Sequence, residues 1–462
     1  MSFADRIGGG KSARSIKKMF YSVSFTKIVA LGYFILLIIG TFLLMLPVSS
    51  KSGEVTPFFD ALTTATSASC VTGLIVYDTF SRWSIFGQAV LLCLIQIGGL
   101  GYMTIITLFS VMIGRKISLR ERGLLKESTN SLYIGGLVSL IKKVIIGTVV
   151  FETGGAVLLS SRFIGLFGIR RGIYYGVFHS VSAFCNAGFD LMGALEPYSS
   201  MTHFQSDPVV LLTLCVLIFA GGIGFVVWDD FCKNRFRFRK YRLHSKIALT
   251  TSIALTLSGA VLMYILEYKN VLGGMKLPDG ILNALFASVT TRTAGFNSVN
   301  TADMTPGSVL INILFMLIGG SPGSTAGGMK TTTFAVLLLT AWANMRNSSH
   351  INVFGRRLEN DAVRKALTVS MIYVVFVLVS SVLIGFFNPS LTLSEILFEV
   401  SSAIGTVGIS CGVMGKVNLF GQLLLTLLMY CGRVGSMSFA LIFTESKAPS
   451  PVVMPEEKII IG

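Results

Sequence analysis

Arg292-Thr293-Ala294-Gly295-Phe296 is a nondescript run of small residues, and it decides the fold because it comes back. It aligns with Cys70-Val71-Thr72-Gly73-Leu74, with Cys185-Asn186-Ala187-Gly188-Phe189 and with Gly405-Thr406-Val407-Gly408-Ile409. The four glycines follow one another at intervals of 115, 107 and 113 residues. Such a period marks an internal repeat far longer than a solenoid unit. Ahead of each glycine lies a mildly apolar stretch rich in hydroxyl and small residues, at 57–69, 173–184, 280–291 and 394–404. Stretches of about 10–14 residues are too short to span a bilayer and suit re-entrant segments. Before and after each stands a longer apolar run, and the second runs share small residues midway: Gly98-Gly99, Gly221-Gly222, Gly319-Gly320 and Cys431-Gly432. Any one of the 48 glycines reads as helix packing. Four with the same flanks at the same point of a repeat read as more than packing.

The composition agrees with a bilayer. Of 462 residues, 52% are hydrophobic and 13% charged, against roughly 25% charged in a soluble domain. Uncharged runs at 28–46, 84–114, 208–228, 247–266, 304–329 and 366–394 are each long enough to cross a membrane as a helix. Two further runs carry one charge each, Glu152 in 144–161 and Arg433 in 417–444. The expected fold is therefore an all-α polytopic membrane protein: four helix, re-entrant pore loop, helix repeats with pseudo-fourfold symmetry around one pore, and eight spanning helices. Its parts are an N-terminal tail (1–27), repeats at 28–114, 115–232, 233–345 and 346–445, and a C-terminal tail (446–462). The second repeat opens with a cytoplasmic loop.

A net charge of +16 invites a nucleic-acid reading, which sidedness removes. Most of the 38 Lys and Arg fall on the side holding both termini, which makes that side cytoplasmic. The densest cluster, Lys233, Arg235, Arg237, Arg239, Lys240 and Arg242, directly follows a span. It reads as a juxtamembrane orientation signal with scope for anionic lipid contact. The expectation is a multi-pass plasma-membrane protein with both termini cytoplasmic, no nucleic-acid partner, and a first helix that anchors the chain rather than a cleaved leader. The seven cysteines form no CxxC pair, so no disulfide framework or zinc site is expected. The four histidines, His179, His203, His244 and His350, are dispersed without a carboxylate or serine cluster. That disfavours an intramembrane enzyme.

Irregular backbone survives at membrane depth only where it is buried in protein or lines a cavity. Four such strands in one chain imply a shared cavity, where converging carbonyls can replace a cation's hydration shell. Glycine suits the strand because it adopts positive φ and lets a carbonyl turn inward. One glycine per strand, against two in a TVGYG filter, predicts fewer complete carbonyl rings and one dominant ion site.

The third second-run holds Gly319-Gly320-Ser321-Pro322-Gly323-Ser324-Thr325-Ala326-Gly327-Gly328-Met329, followed by Lys330. Proline and clustered glycines cannot continue a helix. A phosphate-binding loop is ruled out because Met329 separates Gly328 from Lys330 and no strand precedes it. A loop beneath the filter that blocks the pore and moves on gating is expected, ahead of a packing kink. Arg433 and Lys330 are cations within spans, by default a functional sign. Arg433 is expected below the filter, as an electrostatic barrier or holding the loop shut through its carbonyls. For Lys330, snorkelling to the interface competes with a gating role. Glu152 is a candidate counter-charge to either.

These residues closely resemble the Trk/Ktr/HKT superfamily of cation transporters, and within it the KtrB-type membrane subunit of bacterial Ktr systems. The resemblance rests on the four glycine motifs, Leu94-Ile95-Gln96-Ile97-Gly98-Gly99-Leu100-Gly101, Asn297-Ser298, the 319–330 loop and Gly432-Arg433. Eight spans favour the Ktr branch over ten-span relatives. The resemblance implies a potassium preference set by Gly73, Gly188, Gly295 and Gly408, with the bound potassium held by backbone carbonyls, and sodium or mixed monovalent flux as the alternative. It further implies a homodimer seated on a cytosolic KtrA-type RCK ring. It places any nucleotide on that partner and no cofactor in this chain. The basic loops and the tail ending Lys458-Ile459-Ile460-Ile461-Gly462 are the expected docking and dimer surfaces.

Overall fold

The computed structural model describes residues 25–112, 123, 137–348, 350–435 and 457. The expectations for the terminal tails and for most of the 113–136 loop lie outside the described residues.

Four helices among the described residues are long and apolar enough to cross a membrane: Lys27–Met45, Ser139–Phe184, Leu243–Glu267 and Asn360–Phe387. They belong to α1 (Phe25–Met45), α5 (Leu137–Phe184), α8 (Leu243–Glu267) and α12 (Asn360–Phe387). Their faces are inverted relative to a soluble protein. Leu31, Phe34, Ile35 and Ile39 of α1 are about half exposed, while Thr63, Thr64, Thr66, Ser67 and Ser69 of α2 (Phe58–Cys70) are buried. Apolar surface outside and hydroxyls inside suit a lipid solvent around a polar interior. Two of the buried hydroxyls are satisfied within the helix: Thr63 and Thr64 donate to the carbonyls of Phe59 and Asp60 at 2.9 and 2.8 Å.

The short helices α2, α9 (Leu277–Thr290) and α13 (Leu393–Gly405) occupy the expected re-entrant stretches. The second re-entrant helix has no connecting loop. α5 continues into it across Gly168, whose φ of 76° breaks the helix between residues 137–167 and 169–184.

Three of the second runs, expected as single spans, are broken, and the fourth is described only to Gly435. α3 (Ile85–Leu100) and α4 (Tyr102–Met112) meet at Gly101 (φ 81°). α6 (Pro208–Gly222) and α7 (Phe225–Asn234) meet near Gly224 (φ 98°) and are bent by 96°; counted as one span, this pair makes five. α10 (Pro306–Leu317) and α11 (Thr331–Met345) are separated by the glycine-rich loop, and α14 (Leu419–Val434) stops at Gly435 (φ 95°). The left-handed glycines Gly101 and Gly224 are the physical cause at two of these breaks. Near the first break the Tyr33 hydroxyl donates to the Gly98 carbonyl at 3.3 Å, and Tyr102, just past Gly101, donates to the Ile28 carbonyl of α1 at 3.0 Å.

The midway small residues have a definite job. A Cβ at Gly98, Gly221 or Gly432 would lie 2.0, 1.9 or 2.2 Å from the carbonyl oxygen of Ser69, Phe184 or Ile404. Each of those carbonyls stands four residues before a repeat glycine, so the second helices press directly on the last turn of the re-entrant helices. Outside this core, the basic cluster is knitted by acids: Asp229 pairs with Lys143, Lys233 and Arg242 at 2.7, 2.6 and 3.5 Å. A two-residue hairpin, Asn352–Val353 with Arg356–Arg357, was not foreseen in an all-α chain.

Candidate functional site

The four repeat motifs share one backbone conformation. Val71, Asn186, Thr293 and Thr406 have φ of 57, 60, 72 and 51°, and the glycines two residues later have φ of 94, 71, 84 and 91°. The residues between them are not left-handed. An ordinary strand points successive carbonyls to opposite sides; alternating the hand of the backbone turns them toward the same side. Three of the four leading residues are β-branched, for which positive φ is an outlier, of a kind that clusters where strain serves function.

The glycines close a ring. A Cβ on Gly73 would lie 2.6 Å from the Ala187 oxygen, on Gly188 2.7 Å from that of Ala294, on Gly295 2.7 Å from that of Val407, and on Gly408 2.1 Å from that of Thr72. Each glycine thus faces the carbonyl preceding the next one, and the fourth faces back to the first. The sequence-predicted residues Cys70 to Gly73, Cys185 to Gly188, Arg292 to Gly295 and Gly405 to Gly408 are brought together and buried. Above them opens a vestibule of about 480 Å³, lined by all four glycines. Arg292 joins the ring with its backbone only. Its guanidinium turns away to α8, donating to the Ser252 carbonyl and hydroxyl and to Thr256 at 2.9, 3.0 and 3.0 Å.

The glycine-rich loop is an ordered element. Gly319 N–H donates to the Met329 carbonyl at 2.7 Å and Thr331 N–H to that of Gly320 at 3.0 Å, closing its base. Two broken helices then satisfy each other. Ser321 and Thr325 N–H donate to the Gly222 and Gly221 carbonyls at 2.9 and 3.2 Å, and Phe225 N–H donates to Gly323 at 2.7 Å. The Thr325 hydroxyl donates to Phe184 at 3.1 Å, and a Cβ on Gly327 would meet the Thr406 hydroxyl at 2.1 Å. Ring order sets the second and fourth strands across from one another. A loop in contact with the ends of both lies across the axis.

Both intramembrane cations hold this loop. Arg433 donates to the Thr325 carbonyl and to those of Gly98 and Gly99, the last at 3.0 Å. It therefore ties the loop to the broken end of α3. Lys330 turns back onto the loop's own Ala326 and Gly327 carbonyls at 2.7 and 3.3 Å. Glu152 accepts from Gln96 at 3.2 Å, and no described ion pair joins it to Lys330 or Arg433.

Residues 17–453 match the family described as TrkH, cation transport protein. The chain belongs to this family. It is 39% identical to the potassium/sodium uptake protein NtpJ of Enterococcus hirae, over 96% of this chain and 99% of that one. It is 37% identical to the Ktr system potassium uptake protein B of Bacillus subtilis, over 94% of this chain and 96% of that one. Among solved structures, the potassium transporter TrkH of Vibrio parahaemolyticus has the same fold, with a TM-score of 0.72 at 18% identity, covering 92% of this chain and 86% of that one. These relatives are named as cation transporters and not as enzymes.

Within this TrkH-family chain, sequence reasoning missed the braces that hold the strands. Ser67 and Ser402 hydroxyls accept from the Gly73 and Gly408 N–H groups at 3.0 Å each. Ser182 and Thr290 hydroxyls donate to the Phe189 and Phe296 carbonyls at 2.7 Å each. Three of these stand six residues before their glycine, a signal the alignment of repeats contained. His179 is also a positioning residue: its Nε2 accepts from Leu191 N–H at 3.2 Å. Its Nδ1 therefore carries the proton and donates to Tyr175 at 2.7 Å.

Proposed function

We propose that this protein takes up potassium across the plasma membrane through four helix, pore loop, helix repeats arranged with pseudo-fourfold symmetry, eight spans in all, with both termini cytoplasmic. The observation that carries this reading is the closed order of contacts from Gly73 through Gly188 and Gly295 to Gly408 and back. It supports a selectivity filter in which the Thr72, Ala187, Ala294 and Val407 carbonyls replace water around a cation. The gate is the loop from Gly319 to Met329, held by Arg433 and Lys330. Family membership and the uptake names of its relatives support potassium as cargo. The printed name of the Enterococcus hirae relative supports the second reading, sodium or mixed monovalent flux.

Proteoliposomes decide between the two. Rubidium uptake is expected to exceed sodium uptake, and Gly73→Ser is expected to reduce that preference severalfold, because its Cβ meets the Ala187 carbonyl. Unchanged selectivity in a folded variant would sink the filter assignment. The same proposal includes a homodimer on a KtrA-type RCK ring, with nucleotide bound to the ring alone. Growth of a potassium-uptake-deficient bacterium at low potassium should then improve when the ring is coexpressed. Equal growth with and without it would argue against that partner.

A further inference from the structure

The vestibule above the glycine ring is lined mainly by backbone, hydroxyl, amide and aliphatic groups. Asp190 is its single charged side chain among the described lining residues. Asp190 follows the ring glycine Gly188 by two positions, so its charge sits at the rim of the ring. The carboxyl group is braced: Oδ1 accepts from Met192 N–H at 2.9 Å, and Ser200 stands close enough to favour its charged form. Ser200 in turn accepts from Asn297 N–H at 3.1 Å, linking the second strand's exit to the third's. Described ion pairs give Asp190 no basic partner.

Two further observations point to a ligand. Asn297 lines the vestibule, and its Oδ1 is shielded from solvent without a hydrogen-bond donor. A buried acceptor left open costs about 1–3 kcal/mol, and a cation is one partner that removes the cost. Tyr198 and Ser200, both on the vestibule wall, hold left-handed backbone at φ of 62 and 46°. For non-glycine residues that is strain, kept where the surroundings impose it. Here it presents the Ser200 hydroxyl to the Asn297 N–H.

From this arrangement we infer that Asp190, with the Asn297 side-chain oxygen and Ser200, forms an outer cation station that captures a partly hydrated monovalent ion before it enters the glycine ring. The inference rests on the uptake reading and deepens it. A negative charge at a low-dielectric mouth, with Asp78 as a second acidic group behind it, concentrates cations and sets apparent affinity. Selectivity stays with the ring, where dehydration occurs.

The test is rubidium uptake by proteoliposomes containing the full-length protein, with KM and maximal rate measured for wild type, Asp190→Asn and Asp190→Glu. Asp190→Asn is expected to raise KM about fivefold, the size of losing one screened charge several ångströms from the ion, with rubidium over sodium preference retained. Asp190→Glu is expected to restore KM. Raising ionic strength with an impermeant organic salt should raise KM in wild type and leave Asp190→Asn unmoved. A purely structural brace would not produce that difference. Unchanged KM in Asp190→Asn overturns the station and leaves the uptake reading intact. Loss of transport in both variants makes Asp190 a structural brace and also overturns it. Should wild type move no cation, the uptake reading itself has failed.

Discussion

Gly408→Ser is expected to reduce rubidium uptake about a hundredfold. The penalty has two sources. Gly408 has φ of 91°, where a side chain costs roughly 1–2 kcal/mol. Its added Cβ would stand 2.1 Å from the Thr72 carbonyl oxygen and 2.8 Å from the Gly73 Cα. Those neighbours are backbone held by Ser67 and by the last turn of α2, so they cannot step aside as a flexible side chain would. Overpacking of this kind costs a further 1–3 kcal/mol. A total of roughly 3 kcal/mol corresponds to about two orders of magnitude in rate. The substitution at Gly73 is milder because the approach there is 2.6 Å. Gly154→Ala on α5 is the control: nothing lies within 4 Å of its added Cβ, and uptake should be unchanged. Wild-type flux and selectivity in Gly408→Ser would show that the ring of glycines does not carry the ion.

Arg433→Gln is expected to raise basal flux about tenfold. The guanidinium donates to one carbonyl of the axial loop and to two at the broken end of α3. Hydrogen bonds from a charged donor are worth about 1.5–3 kcal/mol each, and losing part of this set shifts the loop toward its displaced state. Arg433→Lys separates two explanations, because it keeps the charge and loses the planar fork. Raised flux in both variants favours hydrogen bonding as the latch, whereas raised flux in Gln alone favours an electrostatic barrier. Deleting residues within 319–328 should act in the same direction as Arg433→Gln. The measurement is rubidium efflux from proteoliposomes without any regulatory partner. Folded protein with lower flux in Arg433→Gln would contradict the latch.

The amino-acid order alone set the expectation of a repeated, helical membrane fold. Four glycines recurring at a near-constant interval, each behind a stretch too short to span, pointed to a shared cavity because lipid cannot satisfy irregular backbone. It also marked the 319–330 loop as non-helical, since proline and glycine break a helix wherever they stand, and flagged Arg433 because an intramembrane charge is costly. Tertiary structure alone decided the rest. Hydropathy sees an apolar run and not its continuity, so the breaks at Gly101 and Gly224 became visible only through their left-handed φ. Arg292 stood inside a ring motif, yet its side chain left for α8, where Ser252 and Thr256 offered oxygens that no local spacing announces. The positive φ of Val71, Thr293 and Thr406 runs against residue preference and goes with hydrogen bonds that cap the helices ending there, such as Thr72 N–H to Ser67, Ala294 N–H to Thr290 and Val407 N–H to Ser402. The ring's order, and with it the fact that the loop crosses the axis, depends on which strand stands beside which. Side-chain periodicity reports the face of an element; it carries no information about the partner that face meets.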